Sequence, residues 1–299
     1  MIGAPRLPGP ATAPLPQPRT RSSGGGARLI PEAVYAVIPG HRPLTLDLYL
    51  PEAHGPAPVI VHLHGGGWRL GSRREFGPAF DGVTPDPWTV LTRAGFAVAA
   101  VEYRLSGEAT FPAQLHDVKA AVRWLRHRRD ELGLDTEHII AFGESAGGHL
   151  AALLGLTPGH PALEGTVGVT GPSSQVTAVI DWYGPTDLLT LSRPTPPPAA
   201  PSREALLLGS PVDQVPELAR LASPVTHVSA AAPPFHIAHG THDLLVPSSQ
   251  SRTLATALRA AGVPVDLHLV EGGGHLWAGT DDAAPLLDRA VAFARSVLP

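Results

Sequence analysis

From residue 57 onward, short continuous apolar runs alternate with longer stretches of helical periodicity, and this alternation leaves the chain few architectures. The runs "APVIVHL", "AGFAVAAV", "HIIAFG", "VTAVIDW", "PPFHIAHG" and "VDLHLV" are apolar at successive positions, as strands buried on both faces are. Between them, 112–133 places Leu115, Val118, Val122 and Leu125 at helical spacing and ends on Gly133. Helical patterns recur at 145–156, 248–262 and 284–298. Strands that alternate with helices pack as a mostly parallel sheet covered on both faces, so the expected class is α/β with about eight strands. Ahead of that series, "EAVYAVI" and "LTLDLYL" alternate in period two around Pro39-Gly40, which predicts an antiparallel pair.

The segment 186–229 breaks the rhythm. It opens with the Pro-rich "SRPTPPPAAPSR" and continues into helical pieces around "EALLLG" and "VPELARLA". It reads as a cap or lid-like excursion from one domain spanning 29–299, a length that α/β folds accommodate without dividing. Residues 1–28 carry prolines and arginines without the apolar core of a signal peptide, and are expected to form a disordered tail. No apolar window approaches 18 residues, so no membrane segment is expected and the cytoplasm is the expected location. The net charge is −4, and Lys119 is the sole lysine. A nucleic-acid footprint would be basic, so that class of partner is excluded. The absence of cysteine removes disulfides, thiolate metal sites and a thiol nucleophile together. No self-association surface is legible, which leaves the oligomeric state open.

The most informative junction is "IIAFGESAGGHLAALLGL", Ile139 to Leu156. Gly143-Glu144-Ser145-Ala146-Gly147 fits G-x-S-x-G, the sharp strand-to-helix turn that lifts a serine hydroxyl clear of the sheet edge. The two glycines are needed where side chains would collide with the turn. A helix starting there aims free amides and its positive end at any developing oxyanion. A serine hydroxyl needs a base to take its proton, and the base needs an orienting acid. In chain order, Asp243 follows the strand "FHIAHG" and His275 lies in a glycine-rich loop after the next strand. Both reach the edge where Ser145 stands. His239 and His242 are rival bases that precede the acid and read as loop packing, and Glu271 is a rival acid placed too near the base.

The third requirement is a cradle for the tetrahedral oxyanion. "HLHGGGW" offers it, with His64 and Gly65 in support and the amides of Gly66, Gly67 and Ala146 as donors. His62-x-His64 also has the look of a metal pair, but no third ligand is suitably spaced, so neither metal nor cofactor is expected. Glu144 is assigned a hydrogen bond within the oxyanion loop, Asp117 a structural contact with Tyr103 or Arg104, and His149 a packing role one helical turn after Ser145. Trp68, Trp182 and Trp277 are candidate pocket residues.

From about Glu32 to Leu298 the chain resembles the α/β-hydrolase superfamily, specifically its HGGG-type esterases. "HGGGW", "YRL", "FPA" and "SAGG" are similar to the hormone-sensitive-lipase-like carboxylesterases. That branch usually has aspartate at Glu144 and "APE" where this chain reads Ser106-Gly107-Glu108. "GESAGGHLAALL", "DWYGPTDLL", "LLGSPVDQVPELARLASPVTHVS" and "HGTHDLLVP" look more like the bifunctional acetylxylan/feruloyl esterases (the BD-FAE-like family). The resemblance implies the α/β-hydrolase fold, a triad of Ser145, Asp243 and His275, and cleavage of small carboxylic esters with short acyl groups through an acyl-enzyme. Two alternatives stand beside it: an amidase, arylformamidase or peptidase using the same three groups, and a catalytically idle small-molecule receptor.

Overall fold

The computed structural model describes residues 14–16, 19–20, 28–52, 55–191 and 201–299. Among these, nine strands form one sheet: β1 (Arg19–Thr20), β2 (Arg28–Ala36), β3 (Leu44–Leu50), β4 (Ala57–Leu63), β5 (Ala97–Val101), β6 (Leu134–Glu144), β7 (Ala178–Trp182), β8 (Phe235–Gly240) and β9 (Val265–Val270). Their order across the sheet is β1-β2-β3-β5-β4-β6-β7-β8-β9. β1, β2 and β3 pair antiparallel, β3 joins β5 antiparallel, and every pairing from β5 through β9 is parallel. Most of the tail 1–28 lies outside the described residues; of the rest, Arg19 and Thr20 pair with Leu29 and Arg28.

Strand alternation assigns each residue to one of two cores. Val59, Val61 and Leu63 of β4 join Ala97, Ala99 and Val101 of β5 and Ile139 and Ala141 of β6 on one face. Ile60, Val98, Ala100, Ile140 and Phe142 join the other. The first face is covered by α2 (Ala113–His127), α4 (Ala146–Leu156) and α7 (Ser249–Ala260), the second by α1 (Pro87–Arg93) and α8 (Ala284–Ser296). The single helix expected over 112–133 is broken: at Arg128 the backbone leaves helical geometry (φ −101, ψ 10), and α3 (Arg129–Leu132) restarts and ends on left-handed Gly133. α1 was not expected. Its signals are short but present, with Asp86 accepting from the Thr89 amide and proline in the first turn.

Within the expected cap, 186–229, lie α5 (Arg203–Leu208) and α6 (Pro216–Leu221); its Pro-rich part 192–200 lies outside the described residues. Leu207, Leu208, Ala219 and Ala222 are buried in the first core, so the excursion has no separate core of its own. Its entry is tied to α7, with the Gln250 side-chain carbonyl accepting from the Thr186 and Asp187 amides at 2.8 and 2.7 Å.

The chain passes from β4 outward to β5, then crosses back through α2 to β6 on the other side of β4. Such a reversal opens a crevice at the carboxyl ends of the two strands that flank it. The glycine loop follows β4, and Ser145 follows β6. No described helix is long and apolar enough to cross a membrane.

Candidate active site

β6 ends at Glu144 and α4 begins at Ala146, which leaves Ser145 between them at φ 54, ψ −116. A residue with a side chain rarely adopts this conformation, and holding it costs on the order of 1–3 kcal/mol. The corner is over-determined by its neighbours. The Ser145 amide donates to Trp182 O at the end of β7 (2.8 Å), and the His149 amide donates to Ser145 O (3.0 Å). A Cβ at Gly143 would lie 2.1 Å from Gly147 O, and one at Gly147 would lie 1.9 Å from Leu63 O. The two glycines therefore let α4 rest directly on the ends of β4 and β6.

His275 Nδ1–H donates to Asp243 Oδ2 at 2.6 Å, which leaves Nε2 free to accept from the Ser145 hydroxyl at 3.0 Å. His275 follows β9, three strands from β6, and its loop must lean inward to reach Ser145. Gly240 at the end of β8 allows this, since a Cβ there would lie 2.1 Å from Gly273 O; the His242 amide secures the crossing by donating to the same carbonyl at 2.8 Å. Asp243 Oδ1 accepts from the Leu245 and Val246 amides, both at 2.9 Å. Oδ2 has a second histidine, His239 Nε2, at 3.2 Å, and that ring is fixed by Ser251 donating to Nδ1 at 2.6 Å. Burial alone would raise the Asp243 carboxyl. The bonds from His239 and His275, the nearby His275 charge and the Val246 amide outweigh burial and hold it well below the usual carboxylate range.

The glycine loop closes over the same place. Gly65 packs on the corner, its virtual Cβ 3.2 Å from Glu144 O and 3.6 Å from Ser145 Cβ. Gly66 and Gly67 have φ of 108 and 61, and Gly66 O accepts from the Arg69 and Leu70 amides at 3.2 and 3.1 Å. The amides of Gly66, Gly67 and Ala146 donate to no acceptor among the described residues. Beneath the loop, Tyr103 donates from its hydroxyl to His64 O (2.8 Å) and stacks on the His64 ring, whose Nδ1–H donates to Gly65 O (2.8 Å).

Glu144 does not bond within the oxyanion loop as expected. It continues β6, so its side chain shares the face of Phe142. There Oε1 lies 3.3 Å from His62 Nε2, and Oε2 accepts from Tyr183 OH at 2.8 Å. Burial first, then the Glu144 charge, raise the Tyr183 phenol well above its ordinary value. The Tyr183 ring also packs against His275, centroids 4.9 Å apart. Tyr183 is not singled out by the sequence; His239, expected to serve loop packing as a rival base, lies within β8 and touches the acid. The available signal for Tyr183 was its position just past a strand end, which it shares with Ser145, Asp243 and His275.

Asp117 pairs with Arg104 through both carboxylate oxygens (2.7 and 2.8 Å), while Tyr103 turns to His64. His149 accepts from Trp68 Nε1–H at 3.2 Å and donates from Nε2 to Ala222 O at 2.6 Å, joining α4 to the glycine loop and to the segment after α6. Burial pushes its ring down to about 4, against a weaker pull from the Ala222 carbonyl. Of the three tryptophans, Trp68 is spent on His149; Trp182 is fully buried among Phe76, Phe80 and Phe142, because it ends a central strand; Trp277 packs edge-on against Trp182 and Tyr183. Among the described residues no three His, Asp or Glu side chains form a group that could hold a metal.

The BD-FAE family pattern matches residues 46–258. The esterase LipQ of Mycobacterium tuberculosis is 34% identical over 230 residues, covering 75% of this chain and 52% of LipQ. The chain spans about half the length of the curated relatives it matches. A truncated carbohydrate esterase from gut microbiota superposes with a TM-score of 0.78 at 30% identity, over 95% of this chain and 99% of that one. The esterase Est2 of the planctomycete Thermogutta terrifontis, with propionate bound, gives 0.69 at 30% identity over 93% and 96% of the two chains. With its sheet order, its strand-end serine and a family match across most of its length, this chain belongs to the BD-FAE family and has the α/β-hydrolase fold.

Proposed function

We propose that the chain hydrolyses carboxylic esters through an acyl-enzyme on Ser145. The observation that carries this is the unbroken line from Ser145 Oγ through His275 to Asp243 Oδ2, at 3.0 and 2.6 Å. His275 Nε2 takes the hydroxyl proton as Oγ attacks the ester carbonyl, and the Gly66, Gly67 and Ala146 amides receive the oxyanion. His275 then hands its proton to the departing alcohol. Water, activated by the same imidazole, attacks the acyl-enzyme and releases the acid. Asp243 fixes the ring's tautomer and offsets its charge, and no step calls for a metal or cofactor.

Short acyl groups suit the site best. Ser145 is only 7% exposed, Tyr183 packs on the His275 ring and is itself backed by Trp277, and the Est2 structure holds propionate. A fluorophosphonate probe tests the assignment: it is expected to add one mass increment to the wild-type chain and none to Ser145→Ala, with turnover of 4-nitrophenyl acetate lost in parallel. A wild-type chain that neither takes the label nor turns over esters would point to the idle-receptor alternative.

A further inference from the structure

One cation near the glycine loop has no role in the steps above. Gly67, whose amide is one of the proposed oxyanion donors, has φ 61, and the space its Cβ would fill is taken by Arg203: Cδ would lie at 2.6 Å and Nε at 3.3 Å. Arg203 opens α5, the first helix of the excursion, so its stem joins the excursion to the glycine loop. The residue is exposed, and among the described residues it makes neither an ion pair nor a hydrogen bond. The preceding stretch 192–200 contains no aspartate or glutamate that could neutralise it. Arg69, two residues beyond Gly67, is likewise exposed and makes no side-chain ion pair or hydrogen bond among the described residues. The nearest carboxylates in sequence are Glu204, beside Arg203 and not paired with it, and Glu75, which accepts from Ser72. In a chain of net charge −4 this is a local reversal of sign at the rim of the site.

We propose that Arg203 selects ester substrates bearing a carboxylate or other oxyanion close to the scissile bond. The inference rests on the ester-hydrolase reading and adds a substrate class to it. A guanidinium whose stem is packed on the loop backbone has lost much of its rotamer freedom before the substrate arrives, so less is spent on ordering it. It also presents several donors in a plane suited to a carboxylate. Arg69 adds to the attraction at longer range.

Paired substrates test this, each anion matched to its neutral methyl ester. Mono-4-nitrophenyl glutarate against methyl 4-nitrophenyl glutarate places the charge on the acyl side; 4-acetoxybenzoate against methyl 4-acetoxybenzoate places it on the alcohol side. Wild-type enzyme is expected to favour the anion of one pair, mainly through KM, with a preference that shrinks as salt rises. Arg203→Met keeps an apolar stem over Gly67 and removes the charge. It is expected to lower kcat/KM for the favoured anion by about tenfold and to leave the neutral partner within about twofold, with Arg203→Lys partly restoring the preference. If the anion-to-neutral ratio is the same in wild type and Arg203→Met, whether or not both rates fall, the inference is overturned. If wild type turns over none of the four esters, the hydrolase reading itself fails and the inference falls with it.

Discussion

Asp243 Oδ2 meets two histidines, and the asymmetry between them shows how much of the site was legible beforehand. His275 is the closer, 2.6 Å against 3.2 Å for His239. Both reach the same oxygen, His239 with an Nε2–H that it shares with the nearer Val246 O at 2.8 Å, and the two backbone amides satisfy the other. An asparagine in this place would turn either its amide or its carbonyl toward His275. In the first case the ring must flip to the wrong tautomer, and in the second His275 loses the charge that offsets its own. Asp243→Asn is therefore expected to lower kcat for a neutral aryl ester by about 10³–10⁴-fold while the protein remains folded, as circular dichroism and steady-state kinetics would show. A loss under tenfold would remove Asp243 from its proposed role. Ser145, Asp243 and His275 stand together as strand-end position and chain order predict. Tyr183 and Arg203 are not legible in the sequence because their neighbourhoods arise from packing between segments far apart in the chain, whereas His239, four positions before Asp243, stands out as a rival base. Tyr183 meets Glu144 across 39 positions, for example. No local pattern encodes such a meeting.

At the level of elements, the decisive contact is α4 lying on the ends of β4 and β6. All eleven of its residues are buried, so the helix has no polar stripe, and its register is set by backbone contact at Gly147. Gly147→Ala would drive a methyl into Leu63 O, an atom fixed by the sheet. The expected cost is about 3 kcal/mol or more, the upper end for overpacking, because no side chain can rotate out of the way. Gly107→Ala, with nothing within 4 Å of its added methyl, is expected to leave the melting temperature nearly unchanged. A thermal scan of both variants decides the matter, and similar melting points would reject the account. The sequence made the existence of the main strands and long helices plain, since continuous apolar runs and helical spacing are robust signals over many residues. It did not reveal α1, seven residues long, or the break at Arg128, where a fifteen-residue helix and a four-residue one share one periodic pattern.

For the whole molecule, burial of neutral imidazoles sets how stability responds to acid. Burial holds His64 and His149 near 4 in the native state, against 6.5 in an unfolded chain. Below pH 6.5 the unfolded chain binds protons that the native state refuses, so folding loses stability as the pH falls toward 4, by up to about 1.4 kcal/mol per pH unit for each histidine. Asp181 opposes this. Burial raises its carboxyl to about 6 from 3.8, so the native state takes that proton first and regains stability over much of the same range. Two groups against one leave a net fall. The melting temperature is thus expected to drop between pH 6.5 and 4, and His149→Gln to make the slope shallower whatever it does at neutral pH. Parallel slopes for the two proteins would contradict the assignment.

The sheet order has one more consequence, for a chain still emerging from the ribosome. The nucleophile and its base are 130 positions apart, and the base hangs from β9, the half-exposed last strand, held in place across Gly240. A nascent polypeptide can complete the central strands, the glycine loop and the bent serine well before His275 is available to them. Reactivity is then withheld until β9 and the loop that follows it are added, so the ability to attack an ester arrives only after the sheet is complete.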